Sequence, residues 1–321
     1  MKYNSICLLG GTGFVGQHMA SRLSRLGYRV TILTRRCERH RDLKVNRNVQ
    51  LVEASVFDCN ALQPHFRDAD VVINLVGILN EGGAADLRFA NVHAEFPAMV
   101  ANTAVTTGVK RLLHMSALNA DAGESTSIYL RTKGEGENSV HAAQAKGLAV
   151  TSLRPSVIFG PGDSFFNRFA TLLRMSPPVF PLACPDSRFA PVYIGDVVEA
   201  FVQSLEQDAT IGKRLDLCGP DTFTLKQLVE YTRDTLGLRR HISGLGDGMS
   251  RLQARMLGMM PGKPFTLDNY HSLQRSSTCR DNALPSLGIT PTPVQAVVPG
   301  YLASGSARAR YDEFRRHSRR A

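Results

Sequence analysis

The sequence contains no apolar run approaching the roughly 18–20 residues that a bilayer-spanning helix needs. Its longest candidate, VVINLVGIL at 71–79, has the length of a strand. The six cysteines, Cys7, Cys37, Cys59, Cys184, Cys218 and Cys279, form no CxxC pair and no cluster with histidine. A zinc knuckle and a disulfide framework are therefore not indicated, no metal is expected, and reduced thiols are the expectation. The first strand-like run begins by Ser5, which leaves no room for a cleavable leader and makes the cytoplasm the expected location. Gly and Pro are not in excess and no internal repeat is visible, which excludes collagen-like, disordered and coiled-coil chains. What is there is a chain of 321 residues, 43% hydrophobic and 21% charged, with length for about two domains.

The net charge of +10 is unevenly placed. Residues 22–47 hold nine Lys/Arg against Glu38 and Asp42, and the tail from Tyr301 holds six Arg against Asp312 and Glu313, so the remainder is about neutral. Nucleic-acid binders more often spread Lys/Arg over one face with interleaved aromatics, and no such module is present, so nucleic acid is not an expected partner.

The run SICLLGGTGFVGQHMASRLSRLGYRVTILTRR reads as strand, glycine turn, amphipathic helix, glycine stop, strand. Further apolar runs at 49–53, 71–76, 111–115 and 148–153 alternate with helix-compatible segments. The expectation is an α/β fold with a doubly wound parallel sheet over residues 1–160, binding its ligand at the carboxyl ends of the strands. From about Phe165 the pattern loosens into Pro-rich and helical pieces, SPPVFPLACP, DVVEAFVQSLEQ and TLKQLVEYTRDTLGL, the last with Thr224 as its cap. Residues 161–307 read as a smaller, interleaved substrate or lid region, with a strand near 213–218 returning to the main sheet, and 308–321 as a basic solvated tail.

In GGTGFVG, Gly10, Gly13 and Gly16 stand between strand and helix, where missing side chains allow a tight turn and close approach of a pyrophosphate. Gly10, Thr12, Gly13, Phe14 and Val15 are accordingly candidate dinucleotide contacts at a helix N-terminus. The second strand ends Leu33, Thr34, Arg35, Arg36, with no carboxylate for ribose hydroxyls. Two guanidinium groups suit a 2′-phosphate, so Arg35 and Arg36 predict NADP(H) over NAD(H). Ser55 and Val56 after the third strand, and Leu75, Val76 and Gly77 after the fourth, are further cofactor candidates by strand-end position.

Ser116 follows the fifth strand, and Tyr129 and Lys133 lie one helical turn apart in YLRTK. An ammonium beside a phenol favours the phenolate, so Lys133 would make Tyr129 a usable acid or base while holding a ribose, and Ser116 would hydrogen-bond the substrate oxygen. His18, His93 and His114 sit singly on predicted elements and are assigned no role.

GGTGFVG, HMSALNA and YLRTK, in this order, resemble the extended or atypical short-chain dehydrogenase/reductase superfamily, which includes the NAD-dependent epimerase/dehydratases and has a Rossmann fold. LRPSVIFGPGD and PVYIGDVVEAF extend the resemblance to about residues 5–205. It implies that Pro155, Val157 and Ile158 line the nicotinamide pocket and that Asn91 and Asp196 hold turns beside it. SALNA, YLRTKGEGE, IFGPGDSFFNRFA and TLDNYHSLQ are most similar to the branch containing the nucleotide-binding accessory subunit of respiratory complex I and its bacterial relatives. That branch implies firmly held NADPH with a structural or assembly role and, in some relatives, a link to quinone metabolism. Nucleotide-sugar epimerases carry an SSxxVYG-like stretch after the fifth strand, where this chain has Ser116, Ala117, Leu118 and Asn119.

Three readings follow. One is an oxidoreductase or epimerase-like enzyme acting on a small molecule through Ser116, Tyr129 and Lys133. Another is a non-turnover NADP(H)-binding protein of a respiratory or quinone-related complex. The third is peripheral contact with the inner face of a membrane through MSRLQARMLGMM, where Met249, Leu252, Met256 and Met259 share a helical face with Arg251 and Arg255 opposite or flanking it. An apolar stripe at helical spacing ordinarily packs on its own domain, and that is the expectation for this one.

Overall fold

The opening of the chain dictates its first three elements. Ile6–Leu9 are apolar and form β1 (Ser5–Leu9), and the glycines after it cannot extend the strand. Val15, Met19, Ala20 and Leu23 then recur at helical spacing and become the buried stripe of α1 (Phe14–Arg25). Met19 and Leu23, fully buried, stabilise this packing by about 2 kcal/mol each. Gly27, with φ +91°, takes the left-handed conformation that ends the helix and turns the chain into β2 (Arg29–Thr34). The computed structural model describes residues 2–82, 88–123, 125–260 and 263–302.

The alternation continues with β3 (Val49–Glu53), α2 (Cys59–Arg67), β4 (Val71–Asn74), α3 (Phe96–Thr107), β5 (Arg111–Met115), α4 (Ile128–Ala142) and β6 (Ala149–Pro155). Then come β7 (Ile158–Phe159), α5 (Phe165–Met175), β8 (Val179–Leu182), β9 (Arg188–Phe189), β10 (Val192–Tyr193), α6 (Ile194–Glu206) and β11 (Arg214–Leu217). The chain ends its described part with β12 (Phe223–Thr224), α7 (Leu225–Thr235), β13 (His241–Gly244), α8 (Asp247–Gly258), α9 (Leu267–Leu273), α10 (Ala283–Ser286) and α11 (Val294–Leu302). Two units divide it: Met1–Pro155 with Gly195–Leu217 and Asp281–Ile289, and Ser156–Ile194 with Cys218–Arg280 and Thr290–Ala321.

The first unit holds a seven-stranded sheet of order β11-β6-β5-β4-β1-β2-β3, with every neighbouring pair parallel. Strand order reverses between β1 and β4, which opens a crevice at their carboxyl ends. Cys7, Leu9, Leu33, Leu62, Phe66, Val72, Phe96 and Val100 are among the residues of its core. Arg111 is buried as well, held by neutral oxygens: it donates to the Thr151 hydroxyl at 2.8 Å, the Ser204 carbonyl at 2.9 Å and the Thr210 hydroxyl at 2.8 Å.

The second unit is built round an aromatic and aliphatic core that includes Phe159, Phe166, Leu173, Phe189, Leu228, Val229 and Val298. Thr224 accepts from the Gln227 N–H, and the Gln227 side chain accepts from the Thr224 N–H, a capping box at the start of α7. The Pro-rich segment gives a strand as well as turns, since β8 pairs in parallel with β13. Pro181 is tolerated there because, among the described residues, β13 is the one strand paired with β8, leaving the other edge without ladder bonds to supply. The expectation of reduced thiols is corrected at one pair: Cys218 and Cys279 form a disulfide, with Cα atoms 6.0 Å apart. Their separation of 61 residues carries no motif, and only the folding of the second unit makes them neighbours. Among the described residues no helix is long and apolar enough to cross a membrane, and no group of three or more His, Cys, Asp or Glu could hold a metal ion. The basic tail lies outside the described residues.

Candidate functional site

The carboxyl ends of β1, β2, β3 and β4 lie side by side, because Leu9 pairs with Leu33 and Asn74 while Thr34 pairs with Glu53. The glycine turn sits at the first of them. Gly10 has φ +77°, and a Cβ there would lie 3.0 Å from the Leu75 carbonyl carbon. A Cβ on Gly16 would meet the Gly10 oxygen at 2.2 Å, so α1 can start this close to the turn only with hydrogen at that position. Gly13 is the N-cap of α1, exposed and without a capping side chain, which leaves first-turn N–H groups for an anion. Thr12 accepts from Gln17 through its carbonyl, Phe14 packs edge-on to His18, and Val15 is buried.

Arg35 and Arg36 are exposed just beyond β2. Beside them stands a carboxylate that the order of residues did not reveal: Glu53, at the end of β3, accepts from the Cys37 N–H at 3.3 Å. Ser55 is exposed and Val56 half-buried after β3. After β4, Leu75 is buried, the Val76 N–H donates to the Asn74 side chain at 3.0 Å, and Gly77 is exposed.

The second cluster gathers on α4, which Ser127 caps by accepting from the Leu130 N–H. Lys133 is 3% exposed, donates to the Met115 carbonyl at 3.2 Å, and has its Nζ 3.1 Å from where a Cβ on Gly77 would be. Any other residue at 77 would push that ammonium aside. Burial lowers the Lys133 amine to about 8, and the Glu137 carboxylate one turn on opposes the shift. Ser116 follows Met115, is 3% exposed, and its hydroxyl has no partner among the described residues. Tyr129 is half-buried, its ring edge-on to His93 at 5.2 Å and to Phe89 at 5.8 Å. The structure thus brings Lys133 to Gly77 and to the backbone next to Ser116, with Tyr129 one turn away.

His93 had no motif to mark it, and the structure puts it in this cluster. Its Nε2 accepts from the Ile78 N–H at 3.1 Å, which places the proton on Nδ1, 3.5 Å from the Thr132 hydroxyl. Burial first, then the charge of Lys133, lowers the ring to about 2 and keeps it neutral. His114 is also buried and held well below the usual histidine range, by burial first; its Nε2 is without a partner among the described residues, while Nδ1 faces Asn74. Asn91 lies in the helical turn Ala90–Glu95, and Asp196 is buried in the first turn of α6. Pro155 ends β6 and its carbonyl accepts from the Leu118 N–H at 3.1 Å, whereas Val157 and Ile158 belong to the second unit.

A turn in which Cβ atoms cannot fit, a helix start without a side-chain cap, and a buried hydroxyl with no partner among the described residues beside a buried amine match what a dinucleotide with a reactive end requires. Residues 6–218 match the NAD dependent epimerase/dehydratase family. The chain belongs to that family. It is 27% identical over 297 residues to the mouse (Mus musculus) mitochondrial NADH dehydrogenase [ubiquinone] 1 alpha subcomplex subunit 9, covering 90% of this chain and 77% of that one. It is 31% identical over 245 residues to a ceramide reductase of Caulobacter vibrioides, covering 75% of this chain and 74% of the relative. Among solved structures, MoeE5 in complex with UDP-glucuronic acid and NAD superposes with a TM-score of 0.73 at 18% identity, covering 95% of this chain and all of that one. The likeness to MoeE5 concerns the fold, and the α/β Rossmann architecture of the family is what this chain has.

Proposed function

We propose that this family member binds NADP(H) at the glycine turn and exchanges a hydride with a carbonyl or hydroxyl compound, using Ser116, Tyr129 and Lys133. The observation that carries the reading is the buried Lys133 amine, held between Gly77 and the Met115 carbonyl beside the Ser116 hydroxyl, which has no partner among the described residues. Gly10, Thr12, Gly13, Phe14 and Val15 would hold the pyrophosphate, Arg35 and Arg36 the 2′-phosphate, Ser55 and Val56 the adenine, and Leu75, Val76 and Gly77 the nicotinamide half. By the family resemblance Pro155 would line that half as well. When bound, the dinucleotide supplies or accepts the hydride. In the reductive direction the Ser116 hydroxyl donates to the substrate oxygen and Tyr129 hands that oxygen its phenolic proton. Lys133 stabilises the phenolate left behind and hydrogen-bonds the ribose.

The test is a mass spectrum of nucleotides that co-purify, followed by NADPH consumption with aldehydes, quinones, sugar nucleotides and ceramide-type lipids. Tyr129→Phe should lower turnover about a thousandfold at unchanged NADPH affinity, the scale of losing a positioned acid. Arg35→Ser with Arg36→Ser should weaken NADPH at least about tenfold and leave NADH unaffected. Nucleotide contact raises the Lys133 amine above its free value of about 8, so affinity is full below that pH and falls as pH rises past it. Affinity that is the same at pH 7 and pH 9 would remove Lys133 from the nucleotide site.

A second reading is supported by the relatives, since the respiratory-chain subunit matches 90% of this chain. In it the nucleotide is a fixed part of a respiratory or quinone-related assembly. Bound NADPH that no substrate consumes, with Tyr129→Phe silent in cells, selects this reading over the enzymatic one.

A further inference from the structure

Among the described residues nothing packs over the stripe on α8. Met249, Leu252, Met256 and Met259 are 56%, 47%, 58% and 81% exposed, and Met260 continues the patch. At 100° per residue these side chains occupy one arc of the helix. The opposite arc is buried and small: Ala254 is fully covered, and the Ser250 hydroxyl accepts from the Cys184 N–H at 3.1 Å and donates to the Leu245 carbonyl at 3.2 Å. These inward contacts fix the rotation of the helix, so its larger apolar side chains are held facing out. A contiguous exposed apolar patch rimmed by charge marks an interaction surface.

We infer that the outward face of α8 docks on an anionic lipid surface. Arg255 is exposed at one border of the apolar arc, the arrangement of a helix that lies in the interface plane, while Arg251 lies further round the helix and pairs with Asp247 at 3.6 Å. Residues 239–280 carry seven Lys/Arg and two Asp, so the field around the patch is positive and complements phospholipid headgroups. The arc contains no aromatic ring, the usual anchor of a protein–protein interface, and consists of flexible unbranched or singly branched chains that fit among acyl chains. Residues 303–321 carry six Arg against two acidic residues, the same sign as the rim, which disfavours that segment as the cover.

The full chain has no tryptophan, so Met256→Trp places a single reporter on the arc. It is mixed with phosphatidylcholine vesicles and with phosphatidylcholine vesicles containing about one-third phosphatidylglycerol. The expected result is a blue shift of emission and co-sedimentation with the anionic vesicles only, both reduced by salt. In the otherwise unaltered chain, replacing Met249, Leu252, Met256 and Met259 together with Gln should weaken vesicle binding at least about tenfold, and Arg255→Gln about fivefold, with the melting temperature held. Three outcomes overturn the inference: co-sedimentation with unchanged indole emission, which places the contact elsewhere on this basic chain; vesicle binding by the fourfold variant equal to that of the parent; or no vesicle binding together with a fall in oligomeric mass in the fourfold variant, which makes a second copy the occupant.

Discussion

The two units place charge and apolar surface in opposite ways. In the seven-stranded unit Arg111, Lys133, Glu137, His93 and His114 are buried, and the Glu137 carboxylate pairs with Arg154 and, at 3.5 Å, with Arg214. In the other unit the core contains phenylalanine and aliphatic chains, and methionines of α8 face solvent. Groups kept from water in the first unit interact strongly with whatever enters beside them, as a site for a charged cofactor requires. Apolar groups kept in water in the second await a surface to cover them.

The comparison breaks most readily at Arg111. Arg111→Ala should cost about 3–5 kcal/mol in urea unfolding, because Thr151 and Thr210 lose their donor and a cavity opens between strands β5 and β6 and the end of α6. Arg111→Met, which fills the space without a charge, should cost clearly less. If the two variants unfold alike, the lost donors to Thr151, Ser204 and Thr210, and not the cavity, set the cost. Next in size is the staple of the second unit: reducing Cys218–Cys279, or replacing Cys279 with Ser, should remove about 3 kcal/mol from that unit. Nucleotide affinity in the first unit should stay constant, and calorimetry of the reduced and oxidised protein reads both quantities.

Acid gives a smaller effect, carried by two buried rings of the first unit. His93 and His114 are held below the ordinary histidine value of 6.5, so below that pH the unfolded chain takes up protons that the buried rings refuse. Stability is therefore whole above 6.5 and declines as pH falls, by up to ~1.4 kcal/mol per pH unit for each ring. His114→Asn should remove one ring's share of that slope in melting curves recorded between about pH 7.5 and 5. Least of all, Arg255→Ala on α8 should change stability by under about 0.5 kcal/mol, since an exposed guanidinium there supports no packing.

What the sequence disclosed and what it withheld follow the same division. β1, α1 and β2 were legible because apolar residues recur at two distinct periods on either side of Gly10 and Gly13, a local signal. Ser116 and Lys133 could be nominated from a strand end and a one-turn spacing, both short-range. His93 could not, because its contacts are the Ile78 N–H, 15 residues away, and Thr132, 39 residues away. Glu53 was invisible as a neighbour of Arg35 until the register of β2 with β3 set it opposite Thr34. The Cys218–Cys279 pair and the outward rotation of α8 likewise depend on packing at a distance: periodicity shows that a helix has an apolar face, and only Ser250 and Ala254 show that the face points out.

The pairing of β11 with β6 sets a timetable for synthesis. When Pro155 emerges from the ribosome, β6 is the last strand of an unfinished sheet, and its free edge offers backbone hydrogen bonds to any passing extended segment. The strand that seals it ends at Leu217, after the first stretch of the other folding unit, Ser156–Ile194, has been translated in between. A nascent chain arrested between those points would carry the glycine turn and the buried lysine on an open-edged sheet, the form in which chaperone capture or aggregation is to be expected.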